Sequence, residues 1–223
     1  AKRAQLNERL SRTMIMAENA AVDEILIDEE TSDLTATGIR WDKADVKVVL
    51  PEKGEMENTN NAAIELKNIK GSNTTAIIKT GNITISTHLD NLSLDELLKE
   101  PGKEMQLKNL ATAGKQLKIV DTFSSLTVSD YVIADGKSSI LQDVSYYNKK
   151  NNNVISLSLP SIATTPDINS ILNGKIKLSS LNLIRPVASL SLSTIHLPGE
   201  EKGSKMPEVD IDKIIILQPV INF

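Results

Sequence analysis

The chain of 223 residues contains no cysteine and few aromatic side chains. Without cysteine it can have no thiol nucleophile, no disulfide bond and no cysteine-bound zinc ion. The core must therefore be aliphatic, built from Leu, Ile and Val. The aromatic residues are Trp41, Phe123, Tyr131, Tyr146, Tyr147 and Phe223.

Long apolar runs and strong charge are also missing. No run approaches the roughly 18 apolar residues that a membrane-spanning helix needs, and no secretory signal is present. The net charge is only −4 and the basic residues are scattered, so we expect no nucleic-acid partner. The chain begins with Ala1 instead of Met, from which we expect that a leader or membrane anchor has been removed.

Motifs for catalysis and metal binding are absent as well. The sequence has no Gly-rich phosphate loop, GxSxG elbow or HExxH helix. His88 and His196 each stand alone in a strand-like stretch, whereas a triad or metal site needs convergent partners. The alternating acids Glu208, Asp210 and Asp212 fit a solvated strand better than a cation site. We therefore expect no enzyme, no cofactor and no metal.

The residue pattern is that of strands. Residues 22–28, 33–41 and 44–50 are predicted to form short antiparallel neighbours. Further along, SLTVSDYVI (125–133) and VISLSL (154–159) alternate apolar residues with Ser, Thr and Asp. Alternation with period two gives each strand one apolar and one polar face. The expected fold is mainly β, an extended, twisted antiparallel sheet.

Three segments are predicted to be helical. Residues 2–19 place Leu6, Leu10 and Met14 at i, i+4 spacing, as in an amphipathic helix that packs on the sheet or serves as a stem. Two short inserted helices are expected at 92–100 and 165–174, from capping residues and stop signals.

The domain organisation follows from these elements. Residues 1–20 are expected to form a helix or stem, and residues 21–223 one β domain with a possible sub-boundary at the polar loop 51–61.

Short phrases recur along the chain. IRPVASL (184–190) returns 33 residues later as LQPVINF (217–223), and LKNI (66–69) returns as LKNL (107–110). The match aligns Pro186 with Pro219 and Val187 with Val220. Repeated strand units favour architecture and a binding surface over one catalytic pocket. Because the spacings between units are unequal, we expect an irregular sheet that grows laterally.

The phrases SSLNLIRPVASLSL and DKIIILQPVINF, together with ETSDLTATGIRWDKADVKVVLP (30–51), resemble the repeats of AsmA-like proteins of the Gram-negative envelope. The resemblance implies a periplasmic body of long antiparallel sheet with an apolar-lined groove, anchored to the inner membrane by an N-terminal segment that is missing here. It also implies a role in outer-membrane biogenesis or lipid transport, with lipid or acyl chains as partners.

Strands with one apolar and one polar face allow two interpretations of the apolar face. It can close over a dry core or leave a trough for an acyl chain. The residues expected to be lipid-facing or core are Leu157, Leu159, Ile176, Leu178, Leu190 and Leu192. The alternative function is a β-rich module that binds protein or glycan through an exposed patch containing Trp41, Tyr146 or Tyr147.

Overall fold

The structure is a computed structural model that describes residues 3–7, 12–50, 62–150, 153–172, 175–191 and 208–222. The expected mainly β fold is confirmed, because these residues form seventeen strands of one sheet and one short helix. No described helix is long and apolar enough to span a bilayer. The strands are β1 (Arg3–Asn7), β2 (Arg12–Ala21), β3 (Glu24–Ile27), β4 (Leu34–Thr37), β5 (Arg40–Leu50), β6 (Ile64–Thr80), β7 (Ile83–Lys99), β8 (Gln106–Lys108), β9 (Ala111–Val120), β10 (Ser124–Ala134), β11 (Ser139–Lys150), β12 (Asn153–Pro166), β13 (Lys175–Ile184), β14 (Val187–Ser191), β15 (Glu208–Ile211), β16 (Ile214–Leu217) and β17 (Val220–Asn222), and the helix is α1 (Ile168–Leu172).

The strands lie side by side in nearly the order of the chain. β2 and β3 follow each other along one line. β2 pairs antiparallel with β5, and β3 pairs antiparallel with β4. From β6 to β12 the neighbours are antiparallel, with β8 preceding β9 along the same edge of β7. β13 and β14 then continue against β12. The sheet therefore grows sideways as the chain proceeds.

Two joins are parallel, so the expectation of a purely antiparallel sheet is wrong in these places. β4 and β5 run parallel to β6, and β15, β16 and β17 run parallel to β13 and β14. β4 and β5 are also successive parts of one line and not antiparallel neighbours. Parallel strands need a long connection. Residues 51–61, the predicted loop, and residues 192–207 separate the strands concerned and lie outside the described residues.

The two copies of the sequence repeat that are 33 residues apart pair with each other in the sheet. Ile184 lies opposite Leu217, Val187 opposite Val220 and Ala188 opposite Ile221, each pair 33 residues apart. Residues that matched in the sequence are therefore lateral neighbours in the structure. The predicted internal repeat is confirmed here, because apolar side chains at matching positions of the two copies are neighbours across the parallel join.

The two copies of the second sequence repeat, LKN at 66–68 and at 107–109, lie on the two sides of β7. Leu66 and Leu107 both lie opposite Leu97, and Lys67 and Lys108 both lie opposite Glu96. The next residue of each phrase, Asn68 or Asn109, has a positive φ of 53° or 55°. Asn tolerates this left-handed conformation better than most residues. The phrase LKN thus encodes one apolar contact, one ion-pair position and one bend.

A line of irregular residues crosses the sheet. Its members have φ between 49° and 56° and occupy neighbouring gaps in the strand registers. Such irregularities bend a strand and increase its twist. Because they are aligned from strand to strand between β9 and β17, this part of the sheet bends along this line, which we call the bend line. Its members are Gln116, Asp143, Arg185 and Gln218, whereas Lys43 and Asn73 form a separate irregular pair on β5 and β6.

The predicted N-terminal helix at 2–19 is wrong. Residues Arg3–Asn7 and Arg12–Ala21 are antiparallel strands, in which Leu6 lies opposite Thr13. The chain here pairs with β5, and this edge satisfies its backbone hydrogen bonds as a helix would. The i, i+4 spacing of apolar residues was therefore coincidental.

Of the two inserted helices, one is wrong and one is present. Residues 92–100 belong to β7, where Leu94 lies opposite Ile69 and Leu97 opposite Leu66. The register skips between these pairs, at Asn68, and this irregularity turns strand spacing into one that resembles a helix. The segment 165–174 does contain α1, although its first turn is capped by Asp167 and not by Thr165.

Candidate functional site

One face of the sheet carries an unbroken row of apolar side chains. Residues in register on neighbouring strands point to the same face, so a chain of paired positions defines a row. The row runs across nine strands, from β5 to β17, without a charged residue. We call it the first ladder; its members are Val48, Ile78, Ile85, Ile119, Leu126, Tyr146, Leu157, Ala188 and Ile221.

The first ladder is only partly covered. Its members from Val48 to Ala188 are half-buried, and Ile221 on the last strand is 62% exposed. Side chains covered by a second layer of protein would be buried as in a close-packed interior. The first ladder therefore keeps apolar surface open to a ligand or solvent.

A second ladder runs on the other side of the bend line and on the same face. It contains small residues beside large ones, since Gly114 lies opposite Tyr131, and Thr74 lies opposite Leu89. A Cβ atom at Gly114 would lie 2.5 Å from the Tyr131 hydroxyl oxygen, so the ring packs directly over the glycine. The members are Ala44, Thr74, Leu89, Gly114, Tyr131, Leu141, Ile162, Leu183 and Ile216.

The only buried hydrophobic cluster found among the described residues lies between the ladders, beside the bend line. Val128, Tyr131, Val144 and Leu159 are each at most 5% exposed. The Tyr131 hydroxyl is 2.6 Å from the Thr87 hydroxyl, and burial raises the pKa of this phenol. Burial beside the bend means that the sheet closes toward this face. The centre is thus filled by the protein's own side chains, whereas the first ladder is not.

Trp41 extends the apolar face toward β5. The indole lies over Gly71, where a Cβ atom would be 2.3 Å from ring atom Cζ2, and its Nε1 donates to Thr74 Oγ1 at 2.8 Å. Thr74 is buried and is satisfied by this bond and by the Ser72 carbonyl oxygen. The sole tryptophan is therefore held rigidly on the side of the sheet that carries the ladders.

The residues predicted to be lipid-facing or core fall into two groups. Leu157 belongs to the first ladder and Leu159 to the buried cluster. Leu190 lies opposite Ile155, two positions along from the Leu157 pair and on the same face. Ile176 and Leu178 lie near the far end of β13, opposite Val209 and Ile211. Leu192 lies outside the described residues.

Sequence reasoning missed most of the first ladder. Its members Ile78, Ile85 and Ile119 lie in TAIIKTG, NITIST and QLKIV, and the sequence alone does not assign these three segments to a shared face. The alternation within each segment carried the signal. What the sequence did not provide was the register that aligns them.

The opposite face carries polar and charged groups. His88 Nε2 is 3.4 Å from Asp90 Oδ1, and Lys115 Nζ is 3.3 Å from the same oxygen. Within the described ranges no three His, Asp or Glu residues are grouped to hold a metal ion. His196 lies outside those ranges, while Glu208 and Asp210 lie on β15, with Asp212 directly after it.

The aromatic residues proposed for an interaction patch do not lie on one face. Tyr146 belongs to the first ladder, but Tyr147 points to the opposite face, between Ser125 and Ser156. Of Trp41, Tyr146 and Tyr147, Tyr147 is exposed and the other two are half-buried.

Comparison with known proteins gives no relative. No protein-family model, no curated protein and no solved structure matches the chain.

Proposed function

We propose that the protein is a non-enzymatic lipid-handling module that holds acyl chains against the apolar side of its bent sheet. The observation that carries the proposal is the first ladder, nine strands wide, uncharged and half-buried. Each methylene that leaves water for an apolar surface contributes about 0.8 kcal/mol. A row about 38 Å wide, eight strand spacings of about 4.8 Å, offers room for one or more acyl chains.

The bend gives the acyl chain a place to lie. The two ladders flank the bend line on the face toward which the sheet closes, and the filled cluster of Val128, Val144 and Leu159 forms the floor between them. A linear chain lying along the first ladder would contact one side chain from each strand. This arrangement supports an open trough beside a closed core.

The resemblance of the repeats to AsmA-like proteins extends this proposal to a setting. We propose the periplasm of a Gram-negative envelope as the location, with attachment to the inner membrane through an N-terminal anchor and a role in outer-membrane biogenesis or lipid transport. The parallel, register-preserving repeat at the last strands supports a body that is built by lateral growth.

Adjacent tyrosines provide a matched test. A benzophenone amino acid replaces Tyr146 in one variant and Tyr147 in the other, and each protein is irradiated with a radiolabelled diacyl phospholipid. Tyr146 points to the first ladder and Tyr147 to the opposite face. We expect at least tenfold more lipid cross-linking at position 146. Equal or no labelling at the two positions would contradict the proposal.

The second candidate, a protein- or glycan-binding module, is favoured by one observation. Tyr147 is 45% exposed and lies between Ser125 and Ser156 on the polar face. Exposed aromatic side chains surrounded by hydroxyl groups are typical of recognition surfaces. Cross-linking of the Tyr147 variant to a protein or glycan, without lipid labelling at Tyr146, would select this function.

A further inference from the structure

The two ends of the strands differ in charge and in exposed apolar residues. At one end β6 turns into β7, β9 turns into β10, and β11 reaches its last residues. We call this end the hairpin rim and define it as residues 79–83, 121–124 and 148–150. The turns are neighbours, because Thr84 lies opposite Val120 and the Lys149 amide donates to the Phe123 carbonyl oxygen at 2.9 Å.

The hairpin rim presents large apolar side chains to solvent. Phe123 is 54% exposed and Ile83 40%. Phe123 is held by its turn, since Asp121 Oδ1 accepts hydrogen bonds from the amides of Phe123 at 2.7 Å and Ser124 at 2.6 Å. An exposed aromatic ring on a rigid turn is not needed for packing and is suited to insertion into an interface.

The charge of the hairpin rim is positive. Lys79, Lys149 and Lys150 are exposed there, and Asp121 is the one carboxylate among its residues. The opposite end of the strands is rich in acids, so the molecule is electrically asymmetric along its strands. Its acidic residues include Asp28, Glu29, Glu30, Asp33, Glu100, Glu104, Asp135 and Asp167.

The first ladder lies directly behind this rim. Ile85 is two residues from Ile83, and Leu126 is three residues from Phe123. A molecule that enters from the rim would therefore meet the apolar row before reaching the filled cluster.

From these observations we propose that the hairpin rim docks on the surface of a bilayer that contains anionic lipids. The lysines pair with the lipid charge, which is worth about 1 kcal/mol, or a factor of about five in affinity, for each lysine near the surface. Phe123 and Ile83 insert among the headgroups. The proposal goes beyond acyl-chain binding, because docking needs the rim and not the ladder.

Vesicle flotation tests the docking. The full chain is mixed with vesicles of phosphatidylcholine alone, or with 30% phosphatidylglycerol, in about 50 mM and about 500 mM NaCl. We expect binding to the anionic vesicles that weakens at high salt, because the Debye length shortens from above 10 Å to a few ångströms. Absence of binding to anionic vesicles at low salt would overturn the proposal.

Charge-matched variants locate the binding surface. Lys79→Glu/Lys149→Glu reverses two rim charges, and Lys70→Glu/Lys137→Glu reverses two exposed charges away from the rim. The first pair is expected to lose more than tenfold in affinity for the anionic vesicles and the second less than threefold. Equal losses would show that net charge, and not the rim, governs binding.

An apolar variant separates insertion from attraction. Phe123→Ser removes the ring from the rim, whereas Val132→Ser removes an exposed aliphatic side chain near the end of β10 that lies away from the rim. We expect severalfold weaker vesicle binding only for Phe123→Ser, with an unchanged dependence on salt. Comparable weakening by Val132→Ser would contradict docking through the rim. Cross-linking at Tyr146 can fail while these results hold, so the two proposals stand or fall separately.

Discussion

Two aromatic rings in this sheet lie on glycines, and both contacts depend on the missing Cβ atom. Trp41 covers Gly71 and Tyr131 covers Gly114. At Gly114 the added atom would also meet the His88 carbonyl oxygen at 2.4 Å, which belongs to the backbone and cannot turn away. These glycines are therefore packing positions and not flexible points.

Gly71→Ala is expected to displace the Trp41 indole and to cost about 1–3 kcal/mol, the usual range for overpacking. Because Trp41 is the only tryptophan, its emission reports the displacement directly, and we expect a shift to longer wavelength. The free energy of unfolding is measured by denaturant unfolding followed by circular dichroism. In a Trp41→Phe background, Gly71→Ala should lower this free energy by less than it does in the wild type. Additive losses in the double variant would argue against this contact.

Asn73 on β6 combines an unusual backbone conformation with a side-chain hydrogen bond. Its φ is 49°, and its Nδ2 donates to Asp42 Oδ1 at 2.8 Å. Asn73→Ala loses both advantages and is expected to destabilise the protein by about 1–2 kcal/mol. Asn73→Gly keeps the backbone and should recover part of this loss. A thermal denaturation series would contradict the importance of the left-handed backbone at Asn73 if Ala were as stable as Gly.

At the scale of elements, α1 is a five-residue helix whose first amides donate to two aspartates, Ile168 to Asp135 and Ser170 to Asp167. Asp167 Oδ1 and Oδ2 accept hydrogen bonds from the Ser170 amide and hydroxyl, both at 2.9 Å. Both hydrogen bonds lower the pKa of the Asp167 carboxyl, and the bond from the amide has the larger effect. The folded state therefore prefers the ionised form.

The sign of the pH effect follows from this preference. The stability that the Asp167 carboxylate contributes is present above its unfolded pKa of about 3.9 and is lost as the pH falls through the lower folded value. Asp167→Asn retains a good cap but no charge, and Asp167→Ala loses the cap at a cost of about 1 kcal/mol. In melts between pH 7 and pH 2, the advantage of the wild type over Asp167→Asn should shrink below pH 4. A constant difference would contradict the role of the charge.

Individual strands show which parts of this fold could be predicted from the sequence. Alternation was enough to predict strands at VISLSL and SLTVSDYVI, although in the second the buried residues Val128 and Tyr131 are three residues apart, on the two sides of the bend line. It failed at LSLDELLKE, where Asn68 and Asp95 form no ladder pair and the spacing of three residues between Leu94 and Leu97 also fits a helix. Bends of this kind depend on the neighbouring strand, and a single strand's sequence does not contain its neighbour.

The candidate site, like the fold, could be predicted from the sequence only in part. Leu157 and Leu159 were identified as apolar-face residues and do lie there. The first ladder as a whole depends on eight successive registers, and two of them join parallel strands. Parallel register is set by tertiary contacts and long connections, so local propensity does not determine it.

At the scale of the whole molecule, each strand in the described part of the chain contacts mainly its lateral neighbours. β15, β16 and β17 pair with β13 and β14 along one edge. When contacts are confined to neighbours, stability is approximately a sum of terms for successive interfaces. Loss of a lateral strand should then leave the remaining interfaces intact.

Truncation after Ser191 tests this additivity. The shortened chain is expected to keep its β-type circular dichroism and the emission of Trp41, which lies on β5, and to lose at most a modest part of its thermal stability. A control that deletes β6 and β7 removes the centre of the first ladder and should abolish both signals. Complete unfolding of the chain truncated after Ser191 would show that the sheet folds only as one indivisible unit.

The equal 33-residue offset across the last parallel join has a consequence for how such a molecule can change size. One further copy of this segment would widen the sheet by a single strand spacing, about 4.8 Å, and would keep the bend and both ladders in phase. The width of the sheet is therefore adjustable in discrete steps by gene duplication, with its cross-section held constant.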